Sequence, residues 1–117
     1  VVGEIQVRAE DGFYDYETKY FDDNGAALFA PADISPELAG ELGSLACRAF
    51  NAIDGEGLLR ADFFVDETGA WINEVNTMPG FTEISMYPTL WRVSGVDYPE
   101  LVTRLIELAL DRPLGLR

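Results

Sequence analysis

Apolar and polar positions alternate most clearly over residues 59–76, LRADFFVDETGAWINEVN. Successive side chains of an extended chain point to opposite faces. Odd positions Leu59, Ala61, Phe63, Val65, Trp71 and Val75 are mostly apolar and suit packing against a helix. Arg60, Asp62, Glu74 and Asn76 share the other face. The stretch Asp66-Glu67-Thr68-Gly69 is a turn signal between them. A β-hairpin is therefore predicted, and with residues 67–69 as its loop the pairing sets Asp62 opposite Glu74 and Arg60 opposite Asn76. Two carboxylates directly across a ladder repel each other. Such a pair persists where a cation relieves it or where both groups are wet.

Elsewhere the pattern changes period. Residues 1–9 alternate as a strand, with Val1, Ile5 and Val7 on one face. Residues 10–25 form a long polar and aromatic loop carrying Phe13, Tyr14, Tyr16, Tyr20 and Phe21, with Lys19 as its one cation. Loops of this length are usually functional or disordered, and the aromatic content argues against disorder. Ser35-Pro36-Glu37 opens a helix with a cap, a proline at the first helical position and an acid in the first turn. Leu38, Leu42, Leu45, Ala46, Ala49, Phe50 and Ile53 form its apolar stripe, and Gly55 ends it. After the hairpin come a loop over 77–83 with Pro79-Gly80, a short helix within 84–95 interrupted near Pro88, and a capping box at Asp97-Tyr98-Pro99-Glu100. The last helix carries Leu101, Val102, Leu105, Ile106 and Ala109 and stops before Pro113. The order strand, loop, helix, two strands, loop, helix indicates an α+β fold, a small, mostly antiparallel sheet covered by helices.

Composition narrows the chemistry. The 117 residues allow one modest core and a single domain over 1–117. With 21 acidic against 8 basic residues the net charge is -13. That argues against a nucleic-acid or anionic-membrane surface, since either needs a basic face. It is compatible with divalent cations. No histidine is present, so imidazole catalysis and ordinary His-zinc sites are excluded within this chain. The single cysteine, Cys47, excludes an internal disulfide and fits a reducing compartment. It sits beside the helical apolar stripe and reads as structural. No run of about 18 apolar residues marks a membrane span. The opening Val1-Val2-Gly3-Glu4 has the look of the inside of a longer protein.

Asp62, Glu74 and Asn76 supply oxygen donors without sulfur or imidazole, which favours Mg²⁺ or Mn²⁺. Magnesium usually takes one or two carboxylates and completes its octahedron with water and substrate phosphates. The site then implies a phosphorylated ligand, most simply a nucleotide. A solvated polar face of a two-layer sheet is the competing reading. Lys19 is either a phosphate-neutralising point charge or a surface lysine. Arg60 either stabilises developing negative charge or forms a salt bridge to Asp62 or Glu74. Gly80 lets backbone approach a ligand and offers an N–H to an oxyanion, or is a plain turn residue. Ser85 binds a substrate carboxylate or caps the short helix.

Four strings in this order resemble the C-terminal part of the D-alanine–D-alanine ligase family of ATP-grasp enzymes. They are Phe13-Tyr14-Asp15-Tyr16-Glu17-Thr18-Lys19-Tyr20, Arg60-Ala61-Asp62-Phe63-Phe64, Asn73-Glu74-Val75-Asn76-Thr77-Met78-Pro79-Gly80-Phe81-Thr82 and Ile84-Ser85-Met86-Tyr87-Pro88. The resemblance spans essentially the whole chain. It implies the C-terminal half of an ATP-grasp fold, with the N-terminal domain and most of the central domain lying upstream. By matching position it implies that Asp62, Glu74 and Asn76 hold two Mg²⁺ or Mn²⁺ ions bridging the phosphates of ATP. Lys19 then lies near the terminal phosphate, and Arg60 and the Gly80 N–H stabilise the tetrahedral intermediate. Ser85 and Met86 hold the carboxylate of the second D-alanine, with Tyr14 and Tyr20 also on the substrate side. Phe13 and Phe64 lie near the adenine. Tyr20 stands where dipeptide-forming members carry tyrosine and ester-forming members phenylalanine.

The implied activity is joining two D-alanines through an acyl phosphate, giving D-alanyl-D-alanine for peptidoglycan synthesis and cell shape. A cytoplasmic, homodimeric full-length enzyme is implied, with ATP and D-alanine as its small-molecule partners. The 117-residue piece alone is expected to be inactive. A D-alanine–D-lactate ligase and a non-catalytic nucleotide- or metal-binding module are the alternatives.

Overall fold

The computed structural model describes residues 1–7, 20–21 and 26–113. Within them lie five strands and three helices: β1 (Glu4–Val7), β2 (Tyr20–Phe21), β3 (Ala26–Phe29), α1 (Pro36–Ala52), β4 (Arg60–Asp66), β5 (Gly69–Asn76), α2 (Met86–Val93) and α3 (Tyr98–Asp111). The strands form two antiparallel sheets, one in the order β1-β3-β2 and one the β4-β5 pair. One sheet was expected; two form, and the first is built around β3, a strand absent from the sequence reading. Ala26-Ala27-Leu28-Phe29 is a short run beside a loop signal, and its partner strands are what identify it. Tyr20 and Phe21, expected inside a loop, pair with Leu28 and Ala27. Val1 and Ile5, of the face predicted to be apolar, are 64% and 51% exposed.

The helix ends follow local chemistry. Ser35 Oγ accepts from the Leu38 N–H and Pro36 opens α1. At the other end the Gly55 N–H donates to the Phe50 carbonyl and the Asp54 N–H to that of Asn51. This is a Schellman ending, with Asp54 rather than glycine in the left-handed conformation, φ 53°. Gly55 is required for a different reason. A Cβ there would lie 2.6 Å from Cδ2 of Phe50. α2 ends in the same motif with Gly95 at the left-handed position, φ 91°. Pro88 does not interrupt α2. It falls in the first turn, where its missing N–H would have had no partner in the helix. Asp97 caps α3 by accepting from the Glu100 N–H, but the Glu100 carboxylate turns to Arg104, so the capping box closes on one side.

α1 packs on the β4-β5 hairpin and α2 on α3. Buried apolar side chains are few: Leu42 on α1, and Tyr87, Val96 and Leu101 where α2 meets α3. Cys47, beside the α1 stripe, is exposed. Ile53, assigned to the α1 stripe, is also largely exposed. Among the described residues no helix is long and apolar enough to cross a membrane.

Candidate nucleotide and metal site

Arg60 pairs with Asn76 and Asp62 with Glu74, as predicted, but by a different route. The loop is one residue shorter than expected, because Asp66 pairs directly with Gly69. Asp66 Oδ1 accepts from both the Thr68 N–H, at 2.6 Å, and the Thr68 hydroxyl, at 2.7 Å, which closes the turn over two residues. These bonds hold the Asp66 carboxyl below the usual carboxylate range. The missing residue is restored by a bulge: Phe63 pairs with Ile72 while Asp62 pairs with Glu74, leaving Asn73 extra. The bulge exchanges the faces of the distal half of β5. Trp71 pairs with Phe64 and therefore shares the face of Asp62 and Glu74, whereas Ile72 joins Phe63 on the opposite face. Trp71 was expected on the apolar face. Phe64 and Trp71 are 67% and 48% exposed.

Arg60 binds the two carboxylates together. Its Nε donates to Asp62 Oδ1 and its Nη2 to Asp62 Oδ2, both at 2.8 Å, and the same Nη2 lies 3.4 Å from Glu74 Oε1. This is the two-pronged geometry that suits a guanidinium to a carboxylate. The bond to Asp62 raises the Arg60 pKa further above its ordinary value. The repulsion that the ladder imposes on Asp62 and Glu74 is thus relieved by Arg60. Asn76 Oδ1 accepts from the Met78 N–H at 2.9 Å, which starts the loop over 77–85 and leaves a second lone pair on that oxygen. Among the described residues no three Asp, Glu or Cys side chains gather as a metal cluster. Two carboxylates and one amide oxygen still fit a hard cation that draws its remaining ligands from water and phosphate.

The loop carrying Gly80 is anchored from behind. Pro79 is buried. The Phe81 ring lies 5.8 Å from that of Tyr87 and 5.7 Å from that of Tyr98. Burial pushes the Tyr87 phenol above its ordinary pKa. The Tyr98 hydroxyl donates to the Phe81 carbonyl at 2.7 Å. Ser85 occupies the cap position of α2, yet its hydroxyl makes no capping bond. It accepts from the Thr82 N–H at 3.1 Å and meets the Thr82 hydroxyl at 2.9 Å, closing the loop on itself. A Cβ on Gly80 would lie 3.0 Å from that Ser85 oxygen. The Met86 sulfur points toward Gly3, at the start of the three-stranded sheet.

Phe13, Tyr14 and Lys19 lie outside the described residues, as does the side chain of Tyr20. Sequence reasoning missed Tyr98 as an anchor of the loop. It lies 17 residues from Phe81, and its own segment announces only a helix start.

The D-ala D-ala ligase C-terminus family model matches residues 1–107. The D-alanine–D-alanine ligase of Mycolicibacterium vanbaalenii is 55% identical over 99% of this chain, which corresponds to 32% of that protein. The D-alanine-D-alanine ligase of Coxiella burnetii superposes with a TM-score of 0.71 at 42% identity, over 74% of this chain and 25% of that one. That of Bacillus anthracis, solved in complex with ATP, gives 0.71 at 28% identity over 92% and 34%. The chain thus spans about a third of the length of the curated relatives it matches. Two small antiparallel sheets and three helices constitute the C-terminal half of an ATP-grasp fold. On sequence and fold alike, this chain belongs to the D-alanine–D-alanine ligase C-terminus family.

Proposed function

We propose that this chain is the C-terminal subdomain of a cytoplasmic, ATP-dependent carboxylate–amine ligase that joins two D-alanines for peptidoglycan synthesis. The N-terminal and most of the central domain are supplied by the rest of the polypeptide. The observation that carries this reading is the Asp62–Glu74 pair across the ladder, with Arg60 between them and Asn76 at its end. The family match supports the substrate class.

Asp62, Glu74 and Asn76 would hold Mg²⁺ or Mn²⁺, which would supply neutralisation of phosphate charge. Phe64 contributes an apolar surface beside the base, with Phe13 as its counterpart. Lys19 neutralises the terminal phosphate. The carboxylate of the first D-alanine attacks that phosphorus, ADP leaves, and an acyl phosphate results. The amine of the second D-alanine, held by its carboxylate at Ser85 and Met86, attacks the acyl carbon. Arg60 and the Gly80 N–H donate to the oxyanion that forms, inorganic phosphate leaves, and the amine gives up its proton. Positioning and electrostatics carry the catalysis, so no imidazole is needed. Tyr14 and Tyr20 lie on the substrate side, with Tyr20 favouring an amine over a hydroxyl nucleophile.

The test is ADP release by the full-length polypeptide with ATP, Mg²⁺ and D-alanine, run beside L-alanine and D-lactate. D-alanine-dependent release with D-alanyl-D-alanine detected is expected. Asp62→Asn should reduce turnover at least a hundredfold with an unchanged circular dichroism spectrum. Release with none of the three substrates would overturn the substrate assignment.

A further inference from the structure

Arg60 has two roles on the page, and the first engages Nε and Nη2, leaving only Nη1 for the second. As a salt bridge it takes both oxygens of Asp62 and leans on Glu74. As a stabiliser of developing negative charge it must have donors free for the reacting group. A carboxylate offers about four lone-pair sites, and the fork uses two of those on Asp62. Whatever cation binds the remainder sits close to a guanidinium whose nitrogens are 2.8 Å from the same oxygens. Two positive groups that share one carboxylate repel each other in a partly buried site. The side chains of Arg60 and Asp62 are 27% and 26% exposed, so the guanidinium has solvent to move into.

We infer that Arg60 is a displaceable counter-ion: it holds Asp62 and Glu74 together before the cation binds, and cation binding releases it toward the reacting group. Metal loading then precedes, and arms, the residue that stabilises the oxyanion. The inference rests on the metal reading given above. It goes beyond that reading by making Arg60 a competitor of the cation rather than its independent neighbour. The opposite arrangement is a fork that persists and orients Asp62 for the metal, in which case Arg60 aids cation binding.

The two are separated by Mn²⁺ binding to the full-length ligase without nucleotide, followed by electron paramagnetic resonance of the free ion. Folding of each variant is checked by circular dichroism. Asp62→Asn is expected to weaken binding. Arg60→Gln should tighten the same component by about tenfold. Arg60→Lys, which keeps the charge and loses the fork, should fall between wild type and Arg60→Gln. As a second readout, modification of Arg60 by phenylglyoxal, mapped by mass spectrometry, should be faster with Mg²⁺ than without. Unchanged or weaker Mn²⁺ binding by Arg60→Gln, or protection of Arg60 by Mg²⁺, would overturn the inference. If Arg60→Gln does not fold, Arg60→Lys and the modification rate decide it by the same signs. If Asp62→Asn binds Mn²⁺ like wild type, the metal reading itself fails and the inference with it. Weaker binding by Asp62→Asn without tightening by Arg60→Gln leaves the metal reading intact and removes only the inference.

Discussion

Tyr98 is the residue through which α3 reaches the loop at Gly80. Its ring meets Phe81 and its hydroxyl donates to the Phe81 carbonyl. Tyr98→Phe keeps the ring and leaves that half-buried carbonyl without this donor. A loss of about 1 kcal/mol in unfolding free energy is expected, measured by denaturant titration of the full-length protein. On the proposed function, in which the Gly80 N–H is an oxyanion donor, turnover should fall more than the affinity for ATP, because the loosened loop carries that donor while the carboxylates sit on the hairpin. Equal stability of the variant would mean that the bond contributes nothing. At this scale the sequence announced Arg60, Asp62, Glu74 and Asn76, because strand alternation converts spacing directly into a shared face. It did not announce Tyr98 or Trp71. One acts across 17 residues of chain, and the other changed face through a bulge that no local pattern marks. Cys47 shows the same limit, since adjacency to an apolar stripe does not decide which side of a helix is covered.

The hairpin is the element that makes the site. Its turn closes because Asp66 accepts twice from Thr68, and its site end regains the needed pairing through the extra residue Asn73. The Asp66 carboxyl is held below its ordinary value of 3.8 by those bonds. A lowered carboxylate pKa contributes stability that is present above the unfolded value and is lost as pH falls through the folded one. The turn should therefore be intact at neutral pH and loosen only below about pH 3.8. Exchange of the Thr68 amide proton, followed by NMR through an acid titration, checks this. Slow exchange maintained below pH 2, or loosening already at pH 6, would refute it. The helices were legible from their starts, where Ser35, Asp97 and the prolines carry local signals. Their ends were less so. Pro88 looks like a breaker until the helix start is known, and Asp54 adopts the conformation that Gly55 seemed chosen for.

At the scale of the molecule, burial is shallow. Leu101 is 3% exposed and Leu42 5%, and among the described residues no large side chain is buried completely. Ile106, Leu108 and Leu110 of α3 are each more than half exposed, and Met78 and Ile84 stand out from the loop over 77–85. A shallow groove lined by Leu58, Phe81, Val102, Leu105, Ile106 and Ala109 runs along α3. Apolar surface of this extent marks contact with other protein or self-association. The isolated 117-residue chain is expected to associate with rising concentration in sedimentation velocity, and Ile106→Asp together with Leu110→Lys should shift it toward monomer. A monomer at every concentration would mean that the exposed face is tolerated in water. The sequence by itself determined the α+β class, the caps, the hairpin and the hard-oxygen character of its polar face. Each of these depends on chemistry within a few residues or on a period of two or 3.6. Only the tertiary structure decided the division into two sheets, the bulge that brings Trp71 beside Phe64, the clasp of Arg60 on both carboxylates and the anchoring of the Gly80 loop by Tyr98. Those depend on which distant segments meet, and loop length and packing set that rather than any local pattern.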